Sequence, residues 1–212
     1  MVPSDEHEFS PPASRFSRWL WISNLVMTLL YLRFAWVSLE FMKKTPQIST
    51  AVQLAFCTLA AVLFALRRGP KSESRVPLEW FCAVGGTFAV LLFRPVQGHD
   101  GLVLTILQVA GMLVSITGLA SLGRSFGIVP ANRGVQRSGL YRLVRHPMYA
   151  GYVMSYSCFV LQNPSLENGV LLGTFIAFTI LRIVMEEGHL SKDPLYREMQ
   201  QQVRWRLMPF VW

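Results

Sequence analysis

Four long stretches of mostly apolar residues constrain this chain more than anything else in it: Trp19–Phe41, Ile48–Leu66, Leu78–Phe93 and Leu102–Leu122. A helix needs roughly 20 such residues to cross the hydrocarbon core of a bilayer, and each stretch comes near that length. Two shorter runs follow, Met148–Leu161 and Val170–Val184, separated by Gln162-Asn163-Pro164-Ser165-Leu166-Glu167-Asn168-Gly169, a turn-rich junction without Lys or Arg. They read as a helical hairpin. Each is short for a free-standing span, so tilting inside a bundle or a locally thinned bilayer is expected. The expected fold is all-α, a polytopic transmembrane bundle of about six spans, with five as the alternative count. Composition agrees: 52% hydrophobic and 15% charged residues suit a bilayer rather than one soluble domain.

A net charge of +8 could point to nucleic acid, but the basic residues are dispersed between the apolar stretches instead of gathered on one face or arm. Topology explains them more simply. With six spans and both termini inside, Arg15, Arg18, Arg67, Arg68, Lys71, Arg75, the five arginines of 123–147, Arg182, Lys192, Arg197, Arg204 and Arg206 share one side, while Lys43, Lys44 and Arg94 take the other. Sixteen against three predicts that the loop 123–147, the tail 186–212 and both termini are cytoplasmic, in a bacterial inner membrane or the endoplasmic reticulum. A five-span chain breaks that pattern. Residues 1–17 form a polar tail with Asp5, Glu6, Glu8, Pro11 and Pro12 and lack a signal-peptide pattern, so the first span is expected to direct its own insertion. Cys57, Cys82 and Cys158 lie within apolar runs, spaced neither for a metal nor for disulfides. Arg33, inside the first span, is expected to snorkel to the far interface near Glu40 or to pair within the bundle, and receives no function.

Polar residues dense enough for chemistry occur in two places, Gly123–Pro147 and Glu186–Trp212, which flank the hairpin at one end. Antiparallel arms bring them together, so one site built from both is the economical reading. The loop closes with Gly139-Leu140-Tyr141-Arg142-Leu143-Val144-Arg145-His146-Pro147-Met148-Tyr149-Ala150-Gly151. Pro147 suits the first position of a helix. His146 then stands at a helix N-terminus with Tyr149 one turn on, where free backbone N–H groups would suit a carboxylate or phosphate. Arg145-His146-Pro147 alone could equally be an interfacial capping turn. Haem on His146 wants a second axial ligand, and His7, His99 and His189 lie in tails or loops. Glu186 and Glu187 sit about 100° apart around a helix, so one is expected to face the bundle, with a partner such as an arginine or a ribose hydroxyl.

Gly-Leu-Tyr-Arg-x-x-Arg-His-Pro-x-Tyr-x-Gly, an apolar hairpin, then Glu-Glu-x-x-Leu ending on Leu190 resembles the isoprenylcysteine carboxyl methyltransferase and phospholipid methyltransferase superfamily of integral membrane enzymes. The closing Val203-Arg204-Trp205-Arg206-Leu207-Met208-Pro209 is similar to that family's basic tail. The resemblance covers about residues 120–212, and the first four spans match only as generic membrane helices. Leu140 departs from the usual proline, and Met199 stands where a second tyrosine often follows Tyr196.

The resemblance implies three segments: the tail 1–17; four helices over 18–122 as scaffold and acceptor cavity; and a methyltransferase-like module over 123–212, with loop 123–147, hairpin 148–185 and tail 186–212 making a cofactor pocket. It implies S-adenosylmethionine as cofactor and no metal. By position, Gly139, Tyr141, Arg145, His146, Pro147 and Tyr149 would hold its methionine end, and Glu186 or Glu187, with Leu190, its ribose side. Methyl transfer from a sulfonium is an in-line displacement, so alignment and exclusion of water are the enzyme's tasks. A carboxylate acceptor of isoprenylcysteine type, the leading reading, needs a cation to hold it, for which Arg204 and Arg206 are candidates with Arg145 behind them. A phospholipid-like amine must lose a proton, to Glu187 or Glu186. The expected partners are membrane lipids and a lipophilic substrate entering sideways between spans, with no nucleic acid. A non-catalytic membrane subunit or a transporter that keeps the fold is the alternative of another class. Trp19, Trp21, Trp36 and Trp80 read as interfacial anchors. Gly85-Gly86 and the Gly111 to Gly118 spacing allow close helix contacts without naming the helices, and oligomeric state stays open.

Overall fold

A computed structural model describes residues 13–44, 46, 48–67, 72–73, 76–94, 101–123, 131–132 and 135–212. The tail over 1–12, His7, His99, and the basic residues Arg68, Lys71, Arg75, Arg124 and Arg133 lie outside the described residues. The elements are α1 (Ala13–Lys44), α2 (Ile48–Ala65), β1 (Ser72–Glu73), α3 (Pro77–Ala89, extended by a 3-10 turn Val90–Leu92), α4 (Leu102–Leu122), β2 (Ala131–Asn132), α5 (Pro147–Gln162), α6 (Leu166–Leu190) and α7 (Pro194–Gln202). The two strands are a two-residue antiparallel bridge, Ser72 opposite Asn132 and Glu73 opposite Ala131. Among the described residues all other regular structure is helical, so the architecture is an all-α polytopic bundle.

The connections alternate in direction. Arg67 at the end of α2 donates to Ser23 near the start of α1. The bridge ties the chain after α2 to the chain after α4. At the opposite end, Asn168 near the start of α6 makes a two-way amide clamp on the backbone of Arg94, accepting from its N–H at 3.1 Å and donating to its C=O at 2.9 Å. Six apolar helices thus pass back and forth. Trp21–Lys44, Ile48–Ala65, Leu102–Leu122 and Leu166–Leu190 are long and apolar enough to cross a membrane. Exposed Trp21, Leu25, Leu29, Leu32 and Trp36 on α1 would be an anomalous face in water and are the normal outer surface of a membrane helix. Arg33 is exposed on the same helix, and Glu40 pairs with Lys43 at 2.8 Å. The chain is an integral membrane protein.

The hairpin differs from the sequence expectation in its second arm. α5 is short, 16 residues or about 24 Å, but α6 runs for 25. The apolar run ends at Val184, yet the helix continues through Glu186, Glu187 and His189 because the glutamates find partners across the bundle. At its start the Ser165 hydroxyl accepts the Asn168 N–H at 3.1 Å, an N-cap that sets the first turn before the apolar run begins.

The glycine pairs also acquire their partners. A Cβ on Gly111 would meet the Gly151 carbonyl at 2.8 Å, and one on Gly118 the Met148 N–H at 3.0 Å. α4 and α5 therefore touch backbone to backbone, with the Ser115 hydroxyl buried between them and donating to Met148 O at 3.1 Å. Where lipid competes for apolar surface, such close approach is what holds helices together. Gly85 and Gly86 admit Phe178 of α6 against α3 in the same way. With α5 drawn to α4 and α6 drawn to α3, the two arms of the hairpin run antiparallel but spread, and a cavity opens between them.

Candidate active site

The site lies where α5 begins and α6 finishes. Pro147 occupies the first helical position, buried, and His146 is the residue before it, with φ −130° and ψ 59°. The tail docks directly before the helix start. The Arg145 N–H donates to Trp205 O at 2.9 Å and the His146 N–H to Arg206 O at 2.8 Å, so the tail's own backbone crosses there. The His146 N–H, one of the donors that the sequence reading leaves for a ligand carboxylate, is spent on fixing the tail.

Glu187 is the hub. Its side chain is buried, with Oε1 at 2.8 Å from Arg145 Nε and 3.2 Å from His146 Nε2, and Oε2 accepting from Arg206 Nε at 2.8 Å. The Arg145 contact is a close ion pair without an aligned hydrogen bond. Arg145 is nearly as buried as Glu187, whereas Arg206 is a third exposed and rests on the Trp212 ring, 5.0 Å from its centroid. A carboxylate is tolerated in such a place only with partners of this kind. Glu186, one residue earlier, is half-buried on the neighbouring face and accepts the Tyr149 hydroxyl at 2.9 Å.

Beside the hub, Tyr141, Tyr196, Met199 and Val203 form a small buried cluster bordered by Leu122, Val135 and Leu190. Gly139 opens the 3-10 turn Gly139–Arg142 that carries Tyr141 inward, at φ +59°, a left-handed conformation suited to glycine, and is itself exposed. Arg137 straps this loop to α7, bonding Leu195 O and Glu198 Oε2. Burial, then the nearby Glu186 and Tyr196, pushes the Tyr141 phenol well above its usual range. Burial followed by Glu187 and Glu186 does the same for Tyr196. Both stay neutral hydroxyl groups. The Tyr196 hydroxyl is fully buried without a hydrogen-bond partner among the described residues.

Between the spread arms lies a cavity of about 910 Å³, walled by Tyr31 and Phe34 of α1, Phe56 of α2, Val90 and Phe93 after α3, Met112 of α4, and the facing sides of α5 and α6. It runs along α5 from Tyr149 to Gln162, roughly 20 Å. Its wall is mainly aromatic and aliphatic, and at one end it meets the hub at a single residue. Tyr149 lines the cavity, its ring stacks on His146 at 5.6 Å, and its hydroxyl bonds Glu186.

Residues 97–197 match the model of a known family, described as phospholipid methyltransferase. That segment is similar to the isoprenylcysteine and phospholipid methyltransferase superfamily of membrane proteins. No curated protein matches the chain. The matched segment begins before α4 and so reaches further back than the motif resemblance, taking in the helix on which α5 rests; it ends before the tail at Val203. The match supports a membrane methyltransferase activity.

The residues singled out from sequence divide into three groups. Arg145, His146, Glu187 and Arg206 converge on one ion cluster, and Tyr149 with Glu186 adjoins it. Tyr141 and Leu190 belong to the neighbouring tyrosine cluster, while Gly139 and Pro147 act through backbone shape. Arg204 is exposed, its guanidinium over the Trp205 ring at 5.4 Å, away from the cluster. Sequence reasoning passed over Arg182, counted as an end-of-span charge, and Tyr196. An ionisable residue inside an apolar run is itself a signal, and Arg182 gave it. Among the described residues no group of three or more His, Cys, Asp or Glu could hold a metal ion.

Proposed function

We propose that this protein transfers a methyl group from S-adenosylmethionine to a lipophilic acceptor held in the intramembrane cavity. The observation that carries the reading is Tyr149, which belongs at once to the cavity wall and to the polar cluster. A water-soluble methyl donor and a bilayer-soluble acceptor need such a meeting point.

The residues present fit the donor. The buried Tyr196 hydroxyl, without a partner among the described residues, offers one hydrogen-bond donor within the cluster it forms with Tyr141, Met199 and Val203, which suits an adenine. Glu186 is half-buried with only one oxygen engaged by Tyr149, which suits a ribose hydroxyl. S-adenosylmethionine, when bound, supplies an electrophilic methyl on a sulfonium. The protein's part is orientation: Glu187 holds Arg145, His146 and Arg206 in one arrangement, and that arrangement fixes the start of α5 and the ring of Tyr149. Glu187 therefore acts as an organiser in this reading rather than as a base. Arg206 and Arg145 are committed to it, which leaves the acceptor to be held by other groups.

Carboxyl O-methylation of an isoprenylcysteine-type acid is the leading acceptor chemistry, with amine N-methylation of a phospholipid as the second, favoured by the description of the matching family. The loop, the tail and the active site face the cytoplasm in this reading, where the donor is made. Titration calorimetry with S-adenosylmethionine in detergent tests it. Micromolar binding that is lost in His146→Ala and weakened in Glu186→Ala is expected. Full retention in both variants would refute the site, and absence of binding in the wild type would favour a non-catalytic subunit or transporter.

A further inference from the structure

Beyond Val203 the tail closes on itself. The N–H groups of Arg206, Leu207 and Met208 all donate to the Trp212 carbonyl, at 2.9, 3.0 and 3.3 Å, and those of Val211 and Trp212 return to Met208 O at 3.2 Å each. Leu207 and Trp212, at the two feet of this curl, pack against the transmembrane core cluster that contains Met148 and Ile183. The residues between them do the opposite. Met208 is 58% exposed, Phe210 87% and Val211 72%, and Pro209 is exposed with them. Four consecutive residues without a polar side chain are an anomalous tip for a segment that lies in water, and they mark a contact surface.

The backbone is strained to keep that tip outward. Phe210 has φ +68°, and among the described residues it is the one non-glycine residue in the left-handed region. A bulky side chain rarely adopts that conformation, and such strain persists where the surrounding structure imposes it. Here the five hydrogen bonds of the curl impose it. The Phe210 ring leans on Trp205 at 5.3 Å, and the exposed Arg204 guanidinium stands 5.4 Å from the centroid of the Trp205 ring. Exposed aliphatic and aromatic side chains beside a long cationic one are the make-up of a membrane-interface segment, with rings at head-group level and the cation reaching the phosphates.

Position decides which surface covers the tip. Its feet touch the membrane-spanning core, and a loop of four residues rises from them by at most about 7 Å. That is about the depth of the head-group layer. We infer that Met208, Phe210 and Val211 insert into the head-group region of the leaflet on the side of Glu187, so that the bilayer itself holds the tail. The carbonyls of Trp205 and Arg206 fix Arg145 and His146, and lipid contact at the tip therefore braces the residues before α5 from outside the bundle. The inference does not depend on methyl transfer.

Depth-resolved quenching on the full chain tests it. Cys57, Cys82 and Cys158 are buried, so an environment-sensitive thiol dye on Val211→Cys reports the tip alone in the folded protein. In vesicles of phosphatidylcholine and phosphatidylglycerol, a doxyl group near the lipid head group should quench the dye at least about twofold more than one at mid-chain, as insertion by about 5–10 Å predicts. Iodide in the water should quench it weakly. The same dye on Gln201→Cys, an exposed polar position of α7, should respond to iodide and not to lipid. Iodide quenching at the tip equal to that on α7 would place the tip in water and overturn the inference. Protection from both quenchers would assign the tip to a protein contact, and stronger quenching from mid-chain would put it too deep; either result overturns it as well. If Val211→Cys does not accumulate, Met208→Cys carries the dye and the same outcomes decide.

Discussion

Replacing Glu187 by glutamine keeps the shape of the side chain and removes its charge. In the structure that charge faces Arg145 and Arg206 at 2.8 Å each and His146 at 3.2 Å. Arg145 is nearly as enclosed as the glutamate, and leaving a buried partner uncompensated costs about 3–5 kcal/mol. Arg206, a third exposed, recovers solvation and adds little. For a chain of this size that loss lowers Tm by roughly 6–20 °C. The three buried free cysteines, Cys57, Cys82 and Cys158, offer the assay: a thiol-reactive fluorophore reports unfolding in detergent as they become accessible. Glu187→Gln is expected to bring the transition down by about 10 °C, and Arg145→Met in the same background to regain part of it, since removing both partners removes the stranded charge. A Tm within about 2 °C of wild type would refute the hub, and so would a double variant worse than the sum of the singles.

Gly151→Ala should abolish accumulation of folded protein, because its Cβ would strike the Gly111 carbonyl and Ser115, whereas Gly173→Ala, open on all sides, should leave Tm unchanged or slightly raised; thiol-dye melting reads both. Tyr196→Phe removes a buried hydroxyl without a partner, so calorimetry should find weaker S-adenosylmethionine binding while the ligand-free protein is as stable as before or up to about 1 kcal/mol more so. The Tyr141 and Tyr196 phenols titrate higher in the folded chain than in the unfolded one, so their contribution is complete below pH about 10 and is lost as pH rises above it; melting curves of Tyr196→Phe should show a shallower alkaline decline.

The bundle was readable because its signal is physical and local. Apolar length marks a span, and Pro147 and the Asn163–Ser165 junction mark where α5 starts and stops. The convergence of Arg145, His146, Glu187 and Arg206 was also within reach, since an antiparallel hairpin leaves its flanks no other place to go. What was not legible depends on distances between elements. The Gly111 and Gly118 spacing permits close packing, but only the fold shows that α5 fills it, and that closeness is what pulls the hairpin open. The docking of the tail before α5 is of the same kind: carbonyls of Trp205 and Arg206, far along the chain, take the N–H groups of Arg145 and His146. Arg182 counts as an end-of-span charge in sequence, and only the packing of α6 against its neighbours shows that it also lines the cavity.

The central claim is that the polar cluster and the intramembrane cavity form one site for methyl transfer. It is tested most directly by incubating purified protein with methyl-labelled S-adenosylmethionine and a membrane lipid extract, then following label into the organic phase. The account predicts a labelled lipid-soluble product whose formation falls at least about a hundredfold in His146→Ala, consistent with loss of an aligned site. Label confined to the aqueous phase, or a labelled lipid formed equally well by the variant, would contradict it.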